Sequence, residues 1–354
     1  MNEKAPVTCF AEYPNKKTPQ LVYTSRTDAG ITRIKKGKKF CYIKNNHAIR
    51  DKRTLSRIQS LVIPPAWNNV WITAKENGHL QCTGVDAMGR IQYRYHPLWN
   101  TLRKENKFHR LLLFGKALKK LRKKVSLHLS EKKLSRRKVL ATVVSTLDKT
   151  GLRVGNAAYE KRYGSFGLST LQDRHIRING TKVYFSFKGK KGVYQRTSMQ
   201  SARLARIIGQ CKEIPGKELF QYVDEAGDRH SISSGDVNAY IKEHTGGDFT
   251  SKDFRTWNGT MQCIKCFLEK GPAATKTEAR KNIIATLDTV SQTLGNTSAV
   301  CKKHYVHPII LTLYEEGSLF NKPQNLQNGH PPQEVMIETM LLRLLKKAAG
   351  KNTR

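Results

Sequence analysis

Two hydrophobic periods divide the chain. Up to about residue 100 apolar and polar side chains alternate in short runs. Phe40–Lys44 sets aromatic or apolar residues against small or charged ones, and Val70–Ala74 does much the same. GRIQYRYH, Gly89–His96, places Ile91, Tyr93 and Tyr95 on one face of a strand and Gln92 and Arg94 on the other. Pro64-Pro65 and Asn68-Asn69 predict turns between these runs. The pattern predicts a small β-rich domain over residues 1–100, with one or two helices.

From residue 101 the period changes to that of a helix. Leu111, Leu112, Leu118, Leu121, Val125 and Leu129 recur among cations, and Val139, Leu140, Val143, Val144 and Leu147 mark a buried helix stopped at Thr150-Gly151. A three-stranded antiparallel sheet is predicted next. Ile176 and Ile178 alternate with His175 and Arg177, Asn179-Gly180 signals a type I′ hairpin, and Val183, Phe185 and Phe187 continue the apolar face. Gly189-Lys190-Lys191-Gly192 is a second tight turn, from which Val193–Thr197 returns. Further helices are expected at Ser201–Cys211, Gly235–His244, Lys252–Leu268 and Thr277–Leu294, the last burying Ile283, Ile284, Leu287, Val290 and Leu294. Past Ser318 a polar linker leads to a terminal helix over Gln333–Ala349. The fold class is therefore α+β, with a mostly helical second domain over 101–317 and a linker and C-terminal helix over 318–354.

Charge narrows the function. The 354 residues carry 64 Lys+Arg against 27 Asp+Glu, a formal net charge of +37. Such an excess calls for a polyanionic partner, and nucleic acid is the default, because each neutralised phosphate releases a condensed counterion. Between 101 and 140 alone, 15 Lys+Arg face two Glu, which favours phosphate contact over a merely solvated face. No apolar stretch approaches the roughly 20 residues of a membrane span, and the opening MNEKAPVTCF lacks the apolar region of a secretory signal. The seven cysteines are irregularly spaced, and Cys263 and Cys266 read as two thiols one helical turn apart. Reduced thiols and a cytoplasmic location are expected.

The common enzyme signatures are missing from the sequence: GxxxxGK[ST], HExxH, paired-cysteine zinc spacing, a dense carboxylate cluster and GxSxG. Basic groups, hydroxyls and phenols remain, a set suited to phosphoryl transfer without a metal, in which arginine forks hold the charge that builds on phosphate oxygens. Five positions fit that chemistry: Arg153 past a helix end, Lys190 at a hairpin tip, Arg255 near a helix start, Asn296 after Gly295, and Tyr305 just before Pro308. Taken singly, each has an ordinary structural explanation: a solvated lysine, a helix-capping arginine, one tyrosine among 13.

Taken in order, the blocks TGLRVGNAAY from Thr150, FKGK ending at Lys190, KDFRTW from Lys252, and LGN with Tyr305 nine residues after Asn296 resemble the type IB DNA topoisomerases, in particular their compact poxvirus-like and bacterial branch. The resemblance runs from about Gln20 to Tyr314. It implies the tyrosine recombinase/topoisomerase IB catalytic fold and a C-shaped clamp around duplex DNA. It also implies supercoil relaxation through a transient 3′-phosphotyrosyl enzyme, by a monomer needing neither ATP nor metal. Tyr305 would be the nucleophile. Arg153 and Arg255 would hold the non-bridging oxygens, Lys190 would protonate the 5′-oxygen leaving group, and Asn296 would donate a hydrogen bond where poxviral members carry His. The same branch implies DNA contacts by Arg90, Gln92, Tyr93, Tyr95, Tyr159 and Lys252. Among these Gln92 has the chemistry to read adenine. In a bacterium the enzyme would be nucleoid-associated. Two alternatives stay open: a tyrosine recombinase, which usually carries His-x-x-Arg where this chain has Lys252-Asp253-Phe254-Arg255, and a non-catalytic DNA-coating protein.

Overall fold

The computed structural model describes residues 21–37, 39–320 and 334–351. The chain divides into two compact units, Met1–Asn106 and Lys107–Arg354.

The first unit is built on a six-stranded antiparallel sheet in the order β3-β2-β1-β4-β5-β6. Its strands are β1 (Gly30–Lys36), β2 (Lys39–Lys44), β3 (His47–Ala48), β4 (Asn68–Thr73), β5 (Leu80–Val85) and β6 (Ile91–Tyr95), with helix α1 (Lys52–Ser60) between β3 and β4. Ile31, Ile58, Val70, Ile72 and Cys82 form its core. Two of these strands escape the alternation rule. In β1 the second inward position is Arg33, only 9% exposed, whose guanidinium donates to the carbonyls of Ile63, Pro64 and Trp67 and lies over the Phe40 ring. In β5 nearly every position is buried, so no period of two exists to be read. Asn68-Asn69, expected as a turn, begins β4. Asn69 has φ 48° and the register shifts between Asn68 and Trp71, so the turn-forming residues make a bulge instead.

The second unit begins within α2 (Pro97–Leu129), whose start precedes the expected change of period by four residues. Helices α3 (Arg136–Thr150) and α4 (Ala157–Tyr163) follow, then the antiparallel sheet of β7 (Ile176–Asn179), β8 (Lys182–Lys188) and β9 (Tyr194–Gln200). Asn179 pairs with Lys182, and of the two only Gly180 takes positive φ. The hairpin therefore turns on Gly180-Thr181, one residue later than a type I′ Asn-Gly turn. After α5 (Ala202–Lys212) comes a small hairpin that the sequence pattern did not announce, β10 (Gln221–Val223) with β11 (Arg229–Ser231). Three residues per strand are too few to establish a period.

The remaining helices are α6 (Ser234–Thr245), α7 (Ser251–Lys270), α8 (Lys276–Leu294), α9 (Ser298–His304), α10 (Pro308–Glu315) and α11 (Glu334–Lys351). Ile284 of α8, expected inside, is 63% exposed. Ile283 beside it is buried, and Ile284, about 100° further round the helix, falls outside the face that packs on the core. Cys263 and Cys266 are buried, unpaired thiols on α7. The linker expected after Ser318 lies outside the described residues from 321 to 333.

Helix α11 docks on the same core. Ile337, Leu341 and Leu345 are buried in it, and Arg122 of α2 bridges Asp148 of α3 at 2.7 Å and Glu338 of α11 at 2.6 Å. Leu341→Ala removes a side chain with no exposed surface and should lower unfolding free energy by about 2–5 kcal/mol. A urea midpoint equal to that of the wild type would mean that the tail does not pack here in solution.

Candidate active site

The site is assembled from helix ends. Helix α3 stops at Gly151, whose left-handed backbone turns the chain outward. Leu152 is buried and Arg153 emerges half-buried. The next residues are held by a close backbone crossing. A Cβ on Gly167 would fall 2.5 Å from Gly155 and 2.7 Å from the Arg153 carbonyl, so only glycine fits. The Arg153 carbonyl also accepts the Leu168 N–H at 2.9 Å. Asn156 then caps α4 with its side chain. The TGLRVGN motif thus reads as stop, present, cross and restart.

Arg153 reaches the end of α8. Its guanidinium donates to Asn296 Oδ1 at 2.6 Å and to the Gly295 carbonyl at 3.4 Å. Asn296 in turn donates from Nδ2 to the Leu294 carbonyl at 3.2 Å. The asparagine therefore orients Arg153 through its oxygen, a role the sequence did not suggest. Gly295, at φ 57°, ends the helix, and a Cβ there would overlap the amide of Gln195. Gln195, on β9 and 6% exposed, also lies against Gly189 at the base of the Lys190 turn. It links the hairpin to the Gly295-Asn296 turn, and its place five residues after Lys190 is the only sequence signal it gives.

Arg255, in the second turn of α7, is 4% exposed. It donates to the carbonyl of Gly151 and, at 2.7 Å, to that of Leu294. Among the described residues its buried Nε has no hydrogen-bond partner, and its guanidinium carbon sits 4.9 Å from the centre of the Tyr305 ring. Tyr305 ends α9, and its backbone is seated on α7. Its carbonyl accepts from Thr260 Oγ1 at 3.3 Å, and a Cβ on Gly259 would come within 2.6 Å of that carbonyl. Thr260 Oγ1 also accepts the His307 N–H at 3.2 Å, just before Pro308 opens α10.

Electrostatics tie Tyr305, Arg255, Arg153 and Lys190 together. Burial alone would raise the Tyr305 phenol. Arg255, by charge and hydrogen bond, and then Arg153 and Lys252 outweigh it, so its pKa lies below the ordinary value. Burial, then Arg153, with Lys191 and Lys252, lowers the Lys190 ammonium, against an opposing pull from Tyr305. Arg153 falls to about 10, first by burial and then by Arg255. Lys252, exposed in the first turn of α7, belongs to the same field. Among the described residues no group of three or more His, Cys, Asp or Glu could hold a metal ion.

The other sequence-selected residues belong to other elements. Tyr159, on α4, is 51% exposed. In the first unit Tyr93 is exposed and Tyr95 half-buried, their rings stacked 6.1 Å apart, with Tyr95 also against His79. The aromatic face of β6 is thus not a core face. Arg90 and Gln92 both bind Asp86, at 2.7 and 2.8 Å, a residue sequence reasoning passed over.

A titration tests this field without any substrate. The difference in phenolate absorbance between wild type and Tyr305→Phe should show a phenol ionising below pH 10, the ordinary tyrosine value. Arg255→Ala should move that ionisation upward, and an unmoved midpoint would mean that Arg255 does not act on the ring.

Comparison with known proteins gives the relationships of the whole chain. Residues 99–316 match the catalytic core of eukaryotic DNA topoisomerase I, and residues 39–86 match the N-terminal domain of bacterial DNA topoisomerase IB. The chain is 33% identical over 301 residues to DNA topoisomerase 1B of Acanthamoeba polyphaga mimivirus, spanning 82% of this chain and 89% of the relative. Over 240 residues it is 21% identical to DNA topoisomerase I of monkeypox virus and to DNA topoisomerase 1B of vaccinia virus (strain Copenhagen), covering 67% of this chain and 73% of each relative.

Proposed function

The chain belongs to the type IB DNA topoisomerases, and from that premise we propose how its own residues relax DNA. The carrying observation is the phenol of Tyr305 set against Arg255 and Arg153, with Lys190 and Lys252 within electrostatic reach. Tyr305 Oη attacks a backbone phosphorus of one strand. A bond forms between Oη and phosphorus while the bond to the 5′-oxygen breaks, leaving a 3′-phosphotyrosyl enzyme and a 5′-hydroxyl end. The phenol's lowered pKa supports this role, since the phenolate is the competent nucleophile.

Arg255 and Arg153 bind the non-bridging oxygens as negative charge builds. Arg255 still has its Nε–H to give, and Asn296 holds Arg153 in place while its second amide hydrogen faces the phosphate. Lys190 gives its proton to the departing 5′-oxygen, and its lowered pKa eases that transfer. In resealing every step reverses: the 5′-hydroxyl attacks, Lys190 takes the proton back and Tyr305 leaves. One phosphodiester is exchanged for another, so neither ATP nor a metal ion is called for. Between the two steps the 5′ end rotates and releases positive or negative supercoils. Arg90, Gln92, Tyr93, Tyr95, Tyr159 and Lys252 contact the duplex. We take the enzyme to act as a monomer, in the cytoplasm or nucleoid where the DNA lies.

Relaxation of a supercoiled plasmid in EDTA without ATP, wild type beside Tyr305→Phe, tests the nucleophile. The variant should bind DNA nearly as well yet form no covalent adduct, and an adduct would move the nucleophile elsewhere. Cleavage should follow a bell in pH. It rises as Tyr305 ionises and falls as Lys190 loses its proton, each limb below the ordinary pKa of about 10 or 10.4. Lys190→Ala should remove the alkaline limb and slow cleavage by roughly 10²–10⁴-fold. On a 5′-bridging phosphorothiolate, whose leaving group needs no proton, the rate should return. Without that rescue Lys190 is not the acid.

A further inference from the structure

Asp86, at the start of the turn between β5 and β6, is a carboxylate surrounded by donors. Its Oδ1 accepts the backbone N–H groups of Met88 and Arg90, both at 2.9 Å. Its Oδ2 accepts Arg90 Nε at 2.7 Å and Gln92 Nε2 at 2.8 Å. The side chain is 13% exposed, although it stands at the tip of a hairpin. These hydrogen bonds outweigh its burial and hold the carboxyl at about 2, so it is ionised at any working pH.

An ionised carboxylate only accepts hydrogen bonds. Of the two ends of the Gln92 amide, the NH₂ must therefore face Asp86, and Oε1 must face away. An unrestrained glutamine can present either end to a base, whereas this one cannot. In the major groove adenine offers a donor at N6 beside an acceptor at N7, and guanine offers two acceptors, O6 and N7. An outward Oε1 beside the remaining Nε2 hydrogen matches adenine and sets oxygen against oxygen at guanine.

We propose that Asp86 is a specificity-determining positioning residue, which locks the Gln92 amide so that the β5–β6 hairpin selects adenine over guanine in duplex DNA. The inference rests on the reading of this hairpin as a DNA contact. One bidentate pair is worth a preference of roughly five- to a hundredfold against the wrong base.

Asp86→Asn makes the sharpest test, because its amide keeps one acceptor and gains a donor. The remaining oxygen stays on the backbone N–H groups of Met88 and Arg90, while the new NH₂ faces Gln92 and turns the exposed Arg90 guanidinium away toward solvent. The Gln92 amide flips, turns its own NH₂ outward, and now favours guanine. Full-length protein is allowed to cleave a pool of duplexes with randomised sequence, and the covalently captured molecules are sequenced. The wild type should favour A over G at one position, Gln92→Ala should erase that preference, and Asp86→Asn should turn it toward G. Asp86→Ser, which frees Gln92 without inverting it, should flatten the preference and serves if the asparagine variant fails to fold.

A role in holding the loop together would weaken DNA binding evenly, with no change of base. If Gln92→Ala erases the preference and both Asp86 variants keep it, Asp86 does not orient the amide and only this inference falls. If Gln92→Ala leaves the pattern untouched, or the wild type shows no A-over-G preference anywhere, the hairpin is not reading this base and the underlying assignment falls with it.

Discussion

A buried cation, Arg255, with no neutralising carboxylate among the described residues, underlies the catalytic unit. Arg255 is held by the carbonyls of Gly151 and Leu294, the C-terminal ends of α3 and α8. The last carbonyls of a helix lack partners within it and carry partial negative charge. They satisfy the guanidinium without cancelling it. A carboxylate in their place would leave little field for anything else. Here the positive charge remains available to the Tyr305 ring above it, and in the proposed reaction to the phosphate. The same two bonds fix the ends of α3 and α8 against α7, and from those ends Arg153 and Asn296 emerge. One side chain therefore positions the others and lowers the pKa of the Tyr305 phenol.

Much of this was legible in the sequence because helix punctuation is local. Thr150-Gly151, Gly295 and Pro308 mark ends and starts that the structure keeps, and Arg153, Asn296 and Tyr305 sit beside them. Hydrophobic period gave the longer helices of the second unit and its three-stranded sheet, but not α4, α9 or the β10–β11 hairpin. It failed where burial did not follow polarity: inward Arg33 disguised β1, and a strand buried on both faces disguised β5. The hairpin at Gly180 turned one residue late, because Asn179 still pairs with Lys182. Residues that act by touching another functional residue gave little signal. Gln195, Asp86 and the oxygen of Asn296 matter through what lies opposite them in space, and no spacing along the chain encodes that.

The two units hold their charged groups by the same means. Arg33 is buried among carbonyls, Asp86 among N–H groups, and Arg255 between helix ends. For Arg33 and Arg255 backbone carbonyls replace water around the ion and meet the desolvation penalty without a countercharge, whereas Asp86 adds the Arg90 guanidinium to its backbone N–H groups. Arg122 is the contrast, clasped between Asp148 and Glu338 at 2.7 and 2.6 Å. That closed cluster of one cation and two carboxylates joins α2 and α3 to α11 and has no positive field to spare.

The two faces of α2 have a consequence for how the enzyme works through a population of DNA circles. Leu118, Leu121 and Val125 are buried, while Lys116, Lys119, Lys120, Lys123 and Lys124 are exposed. A cationic face of this kind releases counterions on meeting the duplex, so departure from DNA becomes the salt-sensitive step. In dilute salt an enzyme that has resealed one circle would stay on it and cut again, and a sample caught midway would hold fully relaxed and untouched circles with few between. With more salt the enzyme would leave after each encounter, and the whole population would step down together through every intermediate linking number.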